Sequence, residues 1–590
     1  MLIKETLQRD LSRKIEEIIK VDQTDEAVVH EELDEYVVTP AIRDFYYRVL
    51  SAFAEGPATL SESVGIWVSG FFGSGKSSFI KNLGYVLEDN VVLGDRAVDL
   101  FARRLDDQRV LNLVDAIHAK FPVRIIMFDI QSDRAVGTER RSIAHYMYRV
   151  LLRELGYSED FDIAELEMTL ESDGKLDDFM QKFQSRYDAP WTMRRKLAGK
   201  FNEASTILHE MDPGTYPSAD SWAKSVANRE VEATPNLVVE RSYELMRRRL
   251  PGRALVYIID EVGQYIARSS DRIEDLRRIV ELLGLEGRRQ VQAKTAVSPV
   301  WLVATSQERL DEVTSAIGDT KVQLAKVQDR FPIRVDLSPT DIREIVVKRV
   351  LAKKAECLAD LRTLFEKTEG ALKTHAALER THRRQEFEAD SFTDFHPYLP
   401  HHVDSLSIDI VSGIRLQPGA DRTIGGATRT IIKQAYEMLV NDRTRLADQP
   451  VGTLVTLDKV FELLEASLST EIRKDVDDVG KKFADDSWCV RVMKAVALLS
   501  FVKDLPRTAH NISALLYPSV EAASPLKDVE SAIAKLVDAQ APPRLRGRVQ
   551  DTHSSGEDLA VEEAGDRRQA ATARGAPRTP VGESIRRAGA

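Results

Sequence analysis

The stretch Val68-Ser69-Gly70-Phe71-Phe72-Gly73-Ser74-Gly75-Lys76-Ser77 decides the fold of this chain. It contains the complete pattern G-x-x-x-x-G-K-S, in which glycines let the backbone approach phosphate groups and turn its N–H groups towards them. The apolar segment from Val64 to Ser69 predicts a buried strand before the loop, and the pattern after it predicts a helix through Leu87. A strand, a glycine loop and a helix in this order predict a phosphate-binding loop; an ordinary glycine turn before a helix is the alternative.

The residues of this loop have separate predicted roles. Lys76 is expected to reach the β and γ phosphates of a nucleotide, and Ser77 to bind Mg²⁺. The amino end of the following helix adds positive potential for the phosphates. The predicted nucleotide-binding residues of the loop are Gly70, Phe71, Phe72, Gly73, Ser74, Gly75, Lys76, Ser77 and Ser78.

A second acidic element follows further along the chain. The segment Ala254-Leu255-Val256-Tyr257-Ile258-Ile259 is apolar, as a central parallel strand should be, and it runs into Asp260 and Glu261. We expect Asp260 to face Mg²⁺ and Glu261 to polarise the attacking water. The pair therefore predicts a working NTPase rather than a nucleotide-bound scaffold, although buried strands also end in a single acid for purely structural reasons.

Further short apolar strands alternate with long helical stretches, at Val123 to Ile130, Val300 to Ala304 and Ile333 to Leu337. This alternation predicts a parallel α/β sheet. The glutamate next to the acidic strand end is typical of additional-strand P-loop NTPases, in which a further strand lies between the two motif strands and ends in a polar sensor. Thr305 or Ser306 fits that role, and a polar end to a strand without any function fits them equally.

Two arginines are candidates for contacting phosphate. Arg330 precedes the last predicted strand, where it could complete the site of a neighbouring subunit as an arginine finger, with a surface salt bridge as the alternative. Arg429 lies near the start of a later predicted helix that could act as a lid over the nucleotide. An arginine supplied in trans would make hydrolysis depend on assembly, so a homo-oligomer is expected.

Five regions follow from the changes in pattern. We assign 1–60 to an N-terminal helical segment that ends near a Gly56-Pro57 break, and 61–340 to the nucleotide-binding core with a helical insert at about 132–250. The remaining regions are a helical lid at 341–485, an incomplete winged-helix-like domain at 486–540 and a tail at 541–590. Three-helix units like the one at 486–540 often bind only protein.

The tail differs from the rest of the chain because it contains no aromatic residue and no lysine. We expect it to be disordered, or to be the product of out-of-frame translation. The second hypothesis rests on codons permitted for 555–568, which in a shifted frame can encode an amphipathic, tryptophan-containing helix. A genuine disordered extension remains the alternative.

Composition limits the classes of function. The formal net charge of −11 argues against a surface devoted to nucleic acid, and the short arginine clusters resemble ordinary helix faces, so DNA binding is neither shown nor excluded. The two cysteines, Cys357 and Cys489, show no zinc-binding spacing. No membrane span or leader is expected, and a cytoplasmic location is the default.

Longer strings of sequence resemble a known family, the P-loop ATPase BrxC of the BREX bacteriophage-exclusion systems, with PglY as a related form. The resemblance rests on four strings: Asp22-Gln23-Thr24-Asp25, Glu32-Leu33-Asp34-Glu35-Tyr36-Val37-Val38-Thr39, the loop quoted above, and Ile259-Asp260-Glu261-Val262-Gly263-Gln264-Tyr265-Ile266. It covers the N-terminus and the nucleotide-binding core well, and later regions more loosely to about Gln540.

The resemblance implies an AAA+-like ATPase that uses ATP and Mg²⁺ within an antiviral defence system, with other BREX components, and potentially DNA, as partners. ATP is expected rather than GTP, since no N-K-x-D motif for guanine is visible. Family members are about twice as long, so the chain is expected to represent an N-terminal half. A nucleotide-gated scaffold with little turnover, binding DNA or partners, is the alternative function, and a decayed fragment is a third.

Overall fold

The computed structural model describes most of the chain up to residue 539. The described residues are 1–11, 21, 25–59, 62–70, 75–105, 107–130, 141–227, 231–266, 269–307, 310, 327–337, 342–383, 385, 387–402, 406–415 and 427–539, without the side chains of 342, 408, 412, 415 and 427–430. Contacts divide the chain into one compact unit of 1–362 and 388–451 and a second of 363–387 and 452–590. This division differs from the predicted lid boundary, because 452–485 belongs with the second unit.

A parallel sheet forms the centre of the first unit. The strands among the described residues, in chain order, are β1 (Gly65–Gly70), β2 (Val91–Val92), β3 (Asp95–Arg96), β4 (Val123–Asp129), β5 (Ala254–Asp260), β6 (Trp301–Ser306) and β7 (Ile333–Leu337). Within the described residues the central sheet has the order β4-β5-β6-β1-β7, and β2 and β3 form a separate antiparallel hairpin. The predicted α/β class is confirmed, and so is the strand between the two motif strands, which is β6.

The described part of the first unit is rich in helices. Those up to β6 are α1 (Ile3–Thr6), α2 (Glu26–Asp34), α3 (Pro40–Thr59), α4 (Lys76–Glu88), α5 (Ala97–Ala102), α6 (Gln108–Lys120), α7 (Ile143–Glu154), α8 (Phe161–Ser172), α9 (Leu176–Tyr187), α10 (Trp191–Arg194), α11 (Lys200–Met211), α12 (Ser221–Val226), α13 (Pro235–Arg249), α14 (Val262–Ile266) and α15 (Ser270–Gln292).

The described residues after β7 are mainly helical, as the sequence predicts. The elements are α16 (Ile342–Val346), a π-helix (Val347–Leu351), a 3₁₀ turn (Ala355–Cys357), α17 (Leu358–His375), α18 (Ala389–Phe395), α19 (Ser407–Arg415), α20 (Ala427–Val440), a 3₁₀ turn (Leu446–Asp448), α21 (Leu457–Leu464), a 3₁₀ turn (Glu465–Ser467), α22 (Thr470–Lys482), α23 (Ser487–Leu499), α24 (Ala509–Leu515) and α25 (Leu526–Asp538). No described helix is long and apolar enough to cross a membrane.

Helix α3 belongs to the core of the sheet rather than to a separate N-terminal segment. Tyr46, Leu50 and Phe53 are buried in the same apolar cluster as β1, β5 and β6. The predicted break at Gly56-Pro57 is wrong by one turn, since α3 continues to Thr59. Gly56 is needed for close packing there, because a Cβ atom on it would lie 2.8 Å from the ring of Trp301.

The predicted insert consists of two parts with different cores. Helices α7 and α13 bury their apolar faces in the cluster that contains the sheet. Helices α8 to α12 share a second cluster built around Phe179, Phe183, Trp191 and Trp222. A sequence pattern marks both parts only as amphipathic helices, so it cannot tell which of them packs on the sheet.

The second unit contains the three helices predicted for the winged-helix-like region, which are α23, α24 and α25. The segment after α17 is held against α24 by Asn511, whose side chain accepts a hydrogen bond from the Glu379 N–H at 2.8 Å and donates to the carbonyls of Glu379 and Pro506. This link between parts of the chain far apart in sequence explains why 363–387 joins this unit. The predicted tail, 541–590, lies outside the described residues.

Candidate nucleotide-binding site

The glycine loop connects the carboxyl end of β1 to the amino end of α4. Gly75 directly precedes α4 with a φ of +92°, a backbone conformation that favours glycine. The Nζ of Lys76 donates to the carbonyl of Gly70 at 2.8 Å, so the lysine joins the two ends of the loop. Its side chain is almost fully buried, which places a positive charge at the edge of the sheet where the strands end.

Ser77 and Asp260 meet at this edge, although 183 positions separate them in sequence. The hydroxyl of Ser77 donates to Oδ2 of Asp260 at 2.8 Å, and both side chains are buried. Their approach follows from the strand order, because β1 and β5 are separated only by β6. The two residues predicted to bind Mg²⁺ therefore lie in direct contact.

Thr305, at the end of β6, lies beside this pair. Its Oγ1 donates to Oδ1 of Asp260 and accepts a hydrogen bond from the N–H of Glu261 at 2.9 Å. The side chain is fully buried. Thr305 therefore helps to fix the acidic strand end of β5, and its role as a phosphate sensor stays a prediction.

Ser306, the other predicted sensor, faces the helix that follows the acidic pair. A Cβ atom on Gly263 would lie 1.9 Å from the Oγ of Ser306, so only glycine fits at that position of α14. Ser306 is buried by this close approach. Its hydroxyl lies beneath α14, which sets the position of the chain just after Glu261.

Glu261 has an unusual backbone for a residue with a side chain. Its φ is +59°, in the left-handed region. The N–H of Glu261 also donates to Oδ1 of Asp260 at 3.1 Å, and its Oε2 accepts a hydrogen bond from Nε2 of Gln307 at 3.2 Å. Strained backbone of this kind costs about 1–3 kcal/mol and is common at functional sites.

Gln307 was not among the predicted site residues. The signal that could have identified it is its position, directly after the predicted sensor strand and next in the sequence to Thr305 and Ser306. Sequence patterns show that polar residues end a strand but not which of them faces the neighbouring carboxylate.

Arg330 lies near the amino ends of the strands, on the side of the sheet opposite to the glycine loop. Its backbone carbonyl lies next to Gly65, at the amino end of β1, whereas the loop follows Gly70 at the carboxyl end. At about 3.3 Å per residue these edges are about 17 Å apart. Arg330 could therefore serve the site of another subunit but not the site of its own chain.

The side chain of Arg330 forms an ion pair within the chain. Its Nη2 donates to Oε1 of Glu281 on α15 at 2.9 Å, and the same carboxylate binds Arg277 and Arg278. Although burial opposes it, hydrogen bonding to Arg278 and the charges of Arg277 and Arg330 hold the pKa of Glu281 below its ordinary value. The salt-bridge alternative for Arg330 thus has direct support in this structure.

Other predicted residues contribute less. Ser78 lies in the first turn of α4, where its carbonyl accepts a hydrogen bond from the side chain of Asn82 at 2.9 Å. Phe71, Phe72, Gly73 and Ser74 lie outside the described residues, as does the side chain of Arg429, whose backbone belongs to α20.

Together these residues form a small polar site. A buried ammonium, a hydroxyl and two consecutive carboxylates converge at the carboxyl ends of β1, β5 and β6. Open parallel sheets bind ligands at this edge, and the amino end of α4 favours anions there. Hydroxyl and carboxylate oxygens are ligands that Mg²⁺ accepts.

Comparison with known proteins gives little further guidance. No protein-family model matches the chain. The chain is similar to the crystal structure of Cdc6p from Pyrobaculum aerophilum with a TM-score of 0.27 and 11% sequence identity, over 84% of this chain and 94% of that chain. A likeness this distant carries no weight for function, which therefore has to be argued from the contacts of the site.

Proposed function

We propose that this chain is a Mg²⁺-dependent ATPase of the P-loop class. The observation that carries the proposal is the 2.8 Å contact between Ser77 and Asp260, with Lys76 on the same helix end and Glu261 next to the acid. These four residues have the chemistry that phosphoryl transfer needs: a cation for the phosphates, oxygen ligands for Mg²⁺ and a carboxylate for the attacking water.

The residues fit Mg²⁺ and a nucleoside triphosphate. A Mg²⁺ ion would take its protein oxygens from Ser77 and Asp260, which are now joined by a hydrogen bond, and it would neutralise charge on the phosphates. Lys76 would bind the β and γ phosphates. We propose ATP rather than GTP, because the sequence contains no N-K-x-D motif for guanine.

Within the P-loop class, the strand order supports an AAA+-like, additional-strand enzyme. In the described sheet β6 separates the loop strand β1 from the acidic strand β5, and β7 lies on the other side of β1. The position of Arg330 at the far edge is compatible with a finger for a neighbouring subunit. We therefore propose a homo-oligomer in which the subunits complete one another's sites.

We propose further that the protein acts in a BREX anti-phage system, as a cytoplasmic motor or switch that engages other BREX components and potentially DNA. The support is the set of sequence strings quoted above. One of them, the string from Glu32 to Thr39, is built into the core, because Glu32 pairs with Lys81 of α4 and Glu35 with Arg349 of the π-helix. Because this segment contacts α4, the helix that follows the phosphate-binding loop, it is well placed to change position when a nucleotide binds.

Phosphate release from ATP by the purified chain tests the enzymatic proposal. We expect turnover with Mg²⁺, loss of turnover when the metal is chelated, and weaker competition by GTP than by ADP. Tight ATP binding without turnover would instead favour the nucleotide-gated scaffold. Absence of both binding and turnover would contradict the proposal.

The defence proposal needs a cellular assay. A host that carries a BREX system with this gene should restrict phage plating, and the Lys76→Ala variant should lose restriction at an equal protein level. If the variant restricts phage as well as the wild type, nucleotide chemistry is not required for defence. If deletion of the gene has no effect on plating, the BREX assignment fails.

A further inference from the structure

The three polar residues at the end of β6 face in different directions. Thr305 is engaged by Asp260 and by the backbone of Glu261, and Ser306 lies beneath Gly263 of α14. Gln307 is the residue of the three whose side chain donates to the carboxylate of Glu261, with 3.2 Å between Nε2 and Oε2. Each of the three therefore contacts a different part of the same acidic turn.

The backbone of Glu261 is fixed more firmly than an ordinary strand end. Its N–H donates both to Oδ1 of Asp260 and to Oγ1 of Thr305, and its φ of +59° turns the chain sharply into α14. These contacts set where the side chain of Glu261 begins. They do not set the rotation of its carboxylate, which lies at the end of a flexible side chain.

We propose that Gln307 is a positioning residue that holds the carboxylate of Glu261 in the orientation for accepting a proton from water. This inference rests on the proposed ATPase function and adds to it a residue acting through the general base. The side-chain NH₂ group of glutamine is a donor, so its contact with Oε2 ties one oxygen of the Glu261 carboxylate to the end of β6.

In the hydrolysis step that Gln307 assists, water is the nucleophile and ADP is the leaving group. An O–H bond of water breaks as its proton passes to Glu261, the water oxygen bonds to the γ phosphorus, and the bond from that phosphorus to the leaving ADP oxygen breaks. Because the carboxylate is already held in a single orientation, no entropy is lost in ordering it when the transition state forms. Gln307 itself contacts neither the water nor the phosphate in this scheme.

The test compares two substitutions of Gln307 with a matched control. Gln307→Ala removes the donor, and Gln307→Glu keeps the shape but replaces the donor by a second carboxylate. We expect kcat to fall by about tenfold or more in both, with KM and ATP affinity changed less than about twofold, because the contact is to the base and not to the nucleotide. Gln290→Ala, which removes a similar amide contact to Glu286 at 2.6 Å on α15, should leave kcat unchanged.

A double-mutant cycle separates positioning from a merely structural role. Adding Gln307→Ala to Glu261→Gln should cause no further loss of kcat, since a residue that acts through the base has nothing left to position. An equal loss in both backgrounds, or a wild-type kcat for Gln307→Ala, overturns the proposal. Thermal melting of each variant shows whether a loss of kcat comes from unfolding. If Gln307→Ala unfolds, the kcat of Gln307→Glu, whose side chain has nearly the same volume as glutamine, tests the proposal instead.

The outcomes also distinguish this inference from the proposed function. If the wild type does not hydrolyse ATP, both fail. If Glu261→Gln loses turnover while Gln307→Ala retains it, the ATPase assignment stands and the role of Gln307 fails.

Discussion

Two lysines on one helix, Lys76 and Lys81, show how differently the same residue type is used. Both lie on α4, and only 4% and 1% of their surfaces are exposed. Lys76 donates to a backbone carbonyl, that of Gly70, at the edge where the strands end. Lys81 forms an ion pair with the carboxylate of Glu32 on α2, which is also buried.

The difference lies in what each partner does to the charge. A carbonyl is a neutral acceptor, so this contact holds the ammonium of Lys76 in place at the carboxyl ends of the strands, where phosphate is proposed to bind. The carboxylate of Glu32 neutralises Lys81 and makes it part of the packing between α2 and α4. Burial of a lysine therefore indicates function only when the partner is known.

The largest effect, on ATP binding, is expected from Lys76→Ala. Removing the ammonium deletes the charge-assisted contact to the phosphates, so we expect no measurable ATP binding at concentrations that saturate the wild type. Binding of a fluorescent ATP analogue measures this. The thermal melting curve should stay close to that of the wild type, and retained binding would contradict the assignment of Lys76.

Lys81→Met should act on stability instead. It removes the ammonium that is paired with the buried carboxylate of Glu32, and breaking a buried ion pair costs about 3–5 kcal/mol of unfolding free energy. Chemical denaturation measures the loss. Adding Glu32→Leu should restore most of it, because the unpaired charge is then removed as well.

The control for this pair is Lys348→Met, which breaks an exposed contact to Glu344 one helical turn away. We expect a change within about 0.5 kcal/mol there. If Lys81→Met also falls within that range, or if it abolishes ATP binding in protein that is still folded, the contrast between the two lysines of α4 is wrong.

Glu261→Gln tests the catalytic side of the site without touching either lysine. The amide cannot accept the proton of the attacking water, so turnover should fall by at least about a hundredfold, or about 2.7 kcal/mol in activation free energy, while ATP binding is kept. Steady-state phosphate release and nucleotide binding measure the two quantities. Hydrolysis at the wild-type rate would exclude Glu261 as the base.

Arg330→Ala should have only a small effect on the stability of the chain itself. Its partly exposed ion pair with Glu281 contributes at most about 1 kcal/mol to stability, since Arg277 and Arg278 remain on the same carboxylate. If Arg330 serves a neighbouring site, turnover per chain should rise with protein concentration in the wild type but not in this variant.

Arg278→Ala is the matched control for that experiment, because it removes another guanidinium from Glu281. Turnover of this variant should keep its rise with concentration. If both variants behave alike, Arg330 is a structural residue, as its ion pair to Glu281 within the chain would suggest.

Much of the candidate site could be predicted because its residues belong to short, continuous strings. The loop that ends in Lys76 and Ser77 and the strand that ends in Asp260 and Glu261 are each recognisable from local order and apolar pattern alone. Gln307 is not predicted because its contact with Glu261 depends on two strands lying side by side, and the contact of Thr305 with Asp260 depends on the same pairing of β5 and β6.

By itself the sequence determined the five strands of the parallel sheet, the glycine-loop motif, the acidic strand end and the α/β class, because periodicity and short motifs are local properties of the chain. The tertiary structure alone decided which charges pair: Lys81 with Glu32, Arg330 with Glu281 and Arg349 with Glu35. It also decided that α3 packs on the sheet and that 363–387 joins the second unit. The physical reason is that an ion pair or an apolar contact depends on distance in space, and residues tens to hundreds of positions apart meet only after the strands and helices have packed.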